Sequence, residues 1–185
     1  MHLSRNGSLL AIGVLAWCWA RPAVAQEAPR PVATAIHVDE APVIDGLLDD
    51  RAWQMATPLG NFRQAEPFEG EAASQATDVR LLYDDTAIYI GVILHDTEPS
   101  EIVTTDTRRD SSLSEQDSFQ IIFDTFRDRQ NGFVFGTNAK GIQYDGQVRN
   151  QDGTSTSWDG IWDVKTGTID NGWTAEFKIP LRTLR

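Results

Sequence analysis

The side chains best suited to chemistry fall in three polar stretches. Trp158 and Trp162 lie in Gly153-Thr154-Ser155-Thr156-Ser157-Trp158-Asp159-Gly160-Ile161-Trp162-Asp163, where small and polar residues surround two indoles. The apolar C–H face of a pyranose ring stacks on an indole, and nearby carboxylates and amides take up its hydroxyls. Charged groups gather in Thr105-Asp106-Thr107-Arg108-Arg109-Asp110, in residues 124–131 and around Asn150-Gln151-Asp152. Arg and Asp can grip vicinal hydroxyls through paired hydrogen bonds. If loops at one end of the domain converge, Arg109, Asp110, Asn138 and Trp158 make the binding set, with Trp162 a further stacking residue that also opens a strand. The alternative for both indoles is packing against the adjacent sheet edge, and for each charged cluster a solvated loop.

Other chemistries find less support. Glycoside hydrolysis needs two carboxylates about 5 or 6.5–9.5 Å apart across a cleft, and nothing in the spacing of the acids brings two together. There is no Gly-x-Ser-x-Gly elbow, no His-Glu-x-x-His and no phosphate loop, so no nucleotide is expected. Axial haem ligation would fall to Met55, His37 and His95, with Met55 beside the core candidate Trp53. Zinc is not expected from so few histidines and the single cysteine, Cys18. The net charge of −11 repels phosphate backbones, which excludes nucleic acid as the expected partner and suits a neutral ligand, a hard cation or simple solubility.

The elements that must position these groups follow from pattern. Arg5, the apolar run from Leu9 to Trp17 and the small residues Ala23 and Ala25 make residues 1–25 a signal peptide, so the chain is expected to be exported to the periplasm, cell surface or outer membrane. Residues 26–34, with two prolines, read as an extended leader, and the domain is expected over 35–185. Val79, Leu81 and Tyr83 alternate with Arg80, Leu82 and Asp84, and Ile88 to Leu94 is a β-branched and aromatic run. The two form a hairpin through Asp84-Asp85-Thr86-Ala87, its second strand buried on both faces. Phe119–Phe123 is the next strand. Asn138-Ala139-Lys140-Gly141, with Gly141 at positive φ, and Ile169-Asp170-Asn171-Gly172 turn two further hairpins. One helical turn is expected around Asp49–Met55, capped by Asp49 or Asp50, with Trp53 pointing into the core. The fold class is therefore all-β: an antiparallel β-sandwich of jelly-roll or immunoglobulin-like kind with at most one short helix. Because the chain stops just after an apolar strand, it reads as a fragment of a longer protein.

Four signatures occur in order: Ile44-Asp45-Gly46-Leu47-Leu48-Asp49-Asp50-Arg51-Ala52-Trp53; Val79–Asp85 with Ile88-Tyr89-Ile90; Asp117–Asp124; and Gly172–Pro180. Together they resemble a family 9 carbohydrate-binding-module-like domain, in the version that precedes a large domain of unknown function in bacterial outer-membrane proteins. The resemblance implies non-catalytic binding of an oligo- or polysaccharide, xylan- or cellulose-like, by an exported module that targets an attached C-terminal domain to glycan. It also implies calcium, for which Asp84, Asp85, Asp96 and Glu98 are the candidate ligands; the alternative is that they are hairpin-turn acids with no metal. Two other readings stand beside it: part of a glycoside hydrolase, or a docking domain that has lost its sugar site.

Overall fold

A computed structural model describes residues 32–150 and 153–185. The signal peptide expected over 1–25, and most of the leader, lie outside the described residues. Nine strands are described: β1 (Ile36–His37), β2 (Thr77–Tyr83), β3 (Ala87–His95), β4 (Ser118–Phe123), β5 (Gly132–Asn138), β6 (Tyr144–Val148), β7 (Thr154–Ser155), β8 (Asp163–Ile169) and β9 (Gly172–Pro180). They form a five-stranded sheet in the order β1-β2-β3-β9-β8 and a four-stranded sheet in the order β4-β5-β6-β7. All pairings are antiparallel except β1 on β2. One α-helix, α1 (Arg51–Met55), and two 3-10 turns complete the described elements.

Because antiparallel partners share a face, register shows where each side chain goes. Ile90 pairs with Leu81 and Phe177, and Phe177 with Val164, so these rows point one way. On the other sheet Phe135 pairs with Ile121, and Phe133 with Phe123. The two inner faces meet in one core containing Ile90, Val92, Phe133, Phe135, Trp173 and Phe177. β5 is buried along its whole length, on both faces. Its non-core face is covered by residues around Leu113, whose Cδ1 lies 2.6 Å from where a Cβ on Gly136 would stand.

The outward face of the five-stranded sheet carries a second core, in which Trp53, Val38 and Ala56 pack on Leu82 and Tyr89. Trp53 is buried as expected, but outside the sandwich rather than between its sheets. Gly91 makes room for it, since a Cβ there would lie 2.9 Å from the indole. The layer is tied down by Glu176 of β9, which is fully buried. Its Oε2 accepts the backbone N–H groups of Asp45 and Gly46 at 2.9 and 2.7 Å, and its Oε1 accepts Trp53 Nε1–H at 2.7 Å. Burial pushes this carboxyl above its ordinary range, and the three donors pull it part of the way back.

The turn at Asp45-Gly46 forms as its residue types dictate: Asp45 Oδ1 accepts Leu47 N–H at 2.9 Å and Gly46 takes φ +96°. The expected side-chain cap does not form. Asp50 occupies the cap position but its carboxylate instead accepts Val43 N–H at 2.8 Å, closing the loop ahead of the helix. Replacing Glu176 by Ala is expected to cost roughly 3 kcal/mol, because three buried donors lose their acceptor. Glu176→Gln, which keeps an acceptor oxygen, should cost less; urea titration of the two variants checks the order.

Candidate functional site

Arg109 lies in the long connection between β3 and β4, and its guanidinium reaches two other segments, residues 143–145 and 159–160. Nη2 donates to Asp145 Oδ1 at 2.5 Å, Nη1 to Gln143 Oε1 at 2.6 Å and Nε to Asp159 Oδ1 at 3.1 Å. Asp110 Oδ2 stands 3.5 Å from Nε. The backbone reinforces this meeting point. Asp110 N–H donates to Gln143 O at 2.9 Å, and Gly160 N–H donates to Asp145 Oδ2 at 2.5 Å. Gln143 Nε2 donates to Trp162 O at 2.6 Å.

The cluster is graded from dry to wet. The Asp145 side chain is completely buried, that of Arg109 is 38% exposed and that of Asp159 is 76% exposed. Asp145 pairs with Phe135 across β5 and β6, which places it on the inward face of its sheet. Burial pushes its carboxyl up, and Gly160 N–H, the Trp162 indole and Arg109 act against that rise. Trp162 Nε1–H is itself buried without a hydrogen bond of good geometry, so its effect on Asp145 is one of proximity. The inner half of the cluster is thus a fixed ion pair, and it presents the outer edge of Arg109 with Asp159 and Asp110 at the surface. That edge offers donors and acceptors side by side, the pattern that vicinal hydroxyls require.

Of the residues expected in a binding set, Arg109 and Asp110 are brought together here. Asn138 is not at the surface: it is fully buried, and its side chain bonds Asp106 O, Gln116 Oε1 and Lys140 N–H, each at 2.9 Å, to hold a hairpin turn. Trp162 is a core residue rather than a stacking platform. It is 3% exposed, stacked on Phe177 and edge-on to Phe135. Trp158 is half-buried, with its ring tilted on Phe133 at 4.8 Å between centroids and edge-on to Phe135. The packing alternative therefore describes much of its surface. The polar loop sequence hid this because the aromatic partners come from β5, more than twenty residues earlier.

Residue-type reasoning passed over Asp145, Gln143 and Asp159. The available signal was a carboxylate at the inward-facing position of a strand next to a Gly-containing hairpin, where an apolar residue would ordinarily stand.

The four acids expected as calcium ligands do not fit a cation site. Asp84 and Asp85 lie at one end of β3 and Asp96 and Glu98 beyond the other, roughly 30 Å apart for a nine-residue strand. Asp84 Oδ1 accepts Thr86 N–H, Thr86 Oγ1–H and Ala87 N–H, and Oδ2 accepts Tyr89 O–H at 2.8 Å. Asp96 Oδ1 accepts Glu98 N–H at 2.7 Å. Both are turn acids. Among the described residues the acids that do converge are Asp110, Asp145 and Asp159, with oxygens within 4.8 Å of one another, and that group already holds the Arg109 cation.

Residues 44–185 match the family described as carbohydrate family 9 binding domain-like, and the chain belongs to it. Its fold is similar to a family 9 carbohydrate-binding module from Caldicellulosiruptor kristjanssonii solved with cellotriose, at 21% identity and TM-score 0.57, over 82% of this chain and 69% of that one. A structure of a family 9 module from the same organism with glucose gives 21% identity and TM-score 0.56, over 82% and 71%. No curated protein matches the chain significantly. The family is one of binding modules and not of enzymes.

Two outcomes follow from this geometry. Arg109→Ala strands the buried Asp145 carboxylate and is expected to cost about 2 kcal/mol, less than a fully buried pair because Arg109 meets solvent; chemical denaturation measures it. At the β2–β3 turn, burial raises the Asp84 carboxyl, but the bonds from Tyr89, Thr86 and Ala87 outweigh that and hold it at about 2. A depressed carboxyl stabilises the fold above its unfolded value of about 3.9 and loses that contribution as pH falls toward 2. The melting temperature of Asp84→Asn should therefore lie below that of the parent at pH 6, and the gap should close between pH 5 and 2.

Proposed function

We propose that this chain is a non-catalytic carbohydrate-binding module whose ligand is a neutral cellulose- or xylan-like oligosaccharide, bound at the outer edge of the Arg109 cluster. The observation that carries the reading is the orientation of Arg109. Its inner edge is fixed by buried Asp145, so its outer edge and the exposed Asp159 carboxylate are held side by side before any ligand arrives, which lowers the ordering cost of binding. Membership of a binding-domain family supports it, as does a fold shared with modules solved with cellotriose and glucose.

The same geometry argues against hydrolysis at this place. A catalytic pair requires one protonated and one free carboxyl group. Here Asp145 is dry and engaged by Arg109 and Gly160, and the three acids stand around a guanidinium rather than across a cleft. In this reading the chain is exported, and it keeps an attached domain close to glycan.

Calorimetric titration of the full chain with glucose, cellotriose and xylotriose, with calcium and with chelator, tests the proposal. Saturable binding is expected, weakened about tenfold by Asp159→Ala through loss of a charge-assisted hydrogen bond. Trp158→Phe, which keeps a ring over Phe133, separates stacking from packing. Silence from the folded chain across the panel would replace this reading with that of a docking domain.

A further inference from the structure

Away from the Arg109 cluster, one surface cleft combines an exposed aromatic ring with cationic and amide side chains. It encloses about 270 Å3 and is lined by Phe126, Asn131, Phe133, Gln147, Arg149 and Arg185. Phe126 is 68% exposed, on the loop between β4 and β5. The chain as a whole carries a net charge of −11. Among the described residues lining this cleft, however, the charged side chains are both arginines.

The inversion of charge has a local cause. The acids of the β4–β5 loop spend their lone pairs on the loop itself. Asp124 accepts Asp128 N–H at 3.1 Å and Arg129 N–H at 2.8 Å. Asp128 accepts Gln130 N–H, Asn131 N–H and Asn131 Nδ2–H at 2.8, 2.9 and 2.7 Å. Neither carboxylate lines the cleft, and Arg127 is left exposed beside Phe126. The loops beside the cleft hold unusual backbone: Arg127, Arg129 and Asn150, next in sequence to lining residues or within two of them, take φ of +58°, +59° and +52°. Left-handed backbone at non-glycine residues persists where surrounding bonds fix it.

On the opposite wall Arg149 Nη2 donates to Gln147 Oε1 at 2.7 Å. That bond orients the guanidinium, and among the described residues it leaves most of the five donors for a ligand. Arg185 also lines the neighbouring cleft, with Lys178, Arg182 and Asp85.

We infer that this cleft is a second carbohydrate subsite, and that it takes an acidic sugar, a uronic acid residue of a polysaccharide. The carboxylate pairs with Arg149 and Arg185, the apolar C–H face lies on Phe126, and Gln147 Nε2–H meets a hydroxyl. A guanidinium receives a planar carboxylate through two parallel hydrogen bonds, and a ring floor selects a flat apolar face that a simple anion lacks. The inference goes beyond neutral-sugar binding at Arg109, since it concerns other residues and another ligand class.

The test titrates the full chain with trigalacturonate and, in parallel, with cellotriose. Trigalacturonate is expected to bind, to bind several-fold more weakly when salt rises from 50 to 300 mM, and to lose about tenfold in affinity in Arg149→Ala and in Phe126→Ala. Both substitutions are at exposed positions, and circular dichroism melts verify that each variant is folded. No binding of trigalacturonate, or binding that neither variant weakens, would overturn the inference. Equal affinity for tripolyphosphate or for phosphatidylglycerol vesicles, lost in the same variants, would overturn it as well, by showing a general anion surface. Cellotriose binding reports separately on the Arg109 site: its absence beside intact trigalacturonate binding would sink that proposal and leave this one standing.

Discussion

Glu176 projects from β9 away from the inter-sheet core, and its carboxylate is fully buried. A charge in that position is tolerated only if its oxygens find donors, and it finds three, all from the segment that precedes β2. The first and last of the four sequence signatures are therefore two halves of one structure. Asp45-Gly46 and Trp53 supply the donors, and the strand beginning at Gly172-Trp173 supplies the acceptor. With this clamp in place the outer layer seals one face of the five-stranded sheet, and β9 is buried between two cores.

A comparable arrangement operates on the four-stranded sheet, at Asp145. It too is a dry carboxylate on a strand, and its partners also come from distant loops. The difference lies in the partner. Glu176 is held by neutral donors and ends in protein, whereas Asp145 is held by a guanidinium whose other edge reaches solvent. One buried acid therefore serves the fold, and the other serves the fold and a surface together.

Much of the strand arrangement was legible in the sequence, because period-2 alternation and Asn-Gly or Lys-Gly turns are local signals. Gly141 takes φ +75° where the turn chemistry required it. The short helix and the burial of Trp53 were legible for the same reason. The second core was not, since the need for it arises from Glu176, more than a hundred residues away along the chain. The site was legible in part. Arg109 and Asp110 announce themselves as adjacent charges, but Asp145 and Asp159 join them only through pairing and loop closure. Asn138 and Trp162 were drawn into the expected set by polar neighbours in sequence, while their neighbours in space are a hairpin turn and an aromatic core.

Gly46 and Gly167 meet where the outer layer crosses β8. A Cβ on Gly46 would lie 2.7 Å from the Thr166 carbonyl, and one on Gly167 would run into the Gly46 carbonyl oxygen. Two main chains thus touch with no side chain between them, and the contact sets how closely Asp45-Gly46 approaches Glu176. The two positions therefore act as one mechanical unit: enlarging either would lift the loop, release the clamp and expose Trp53.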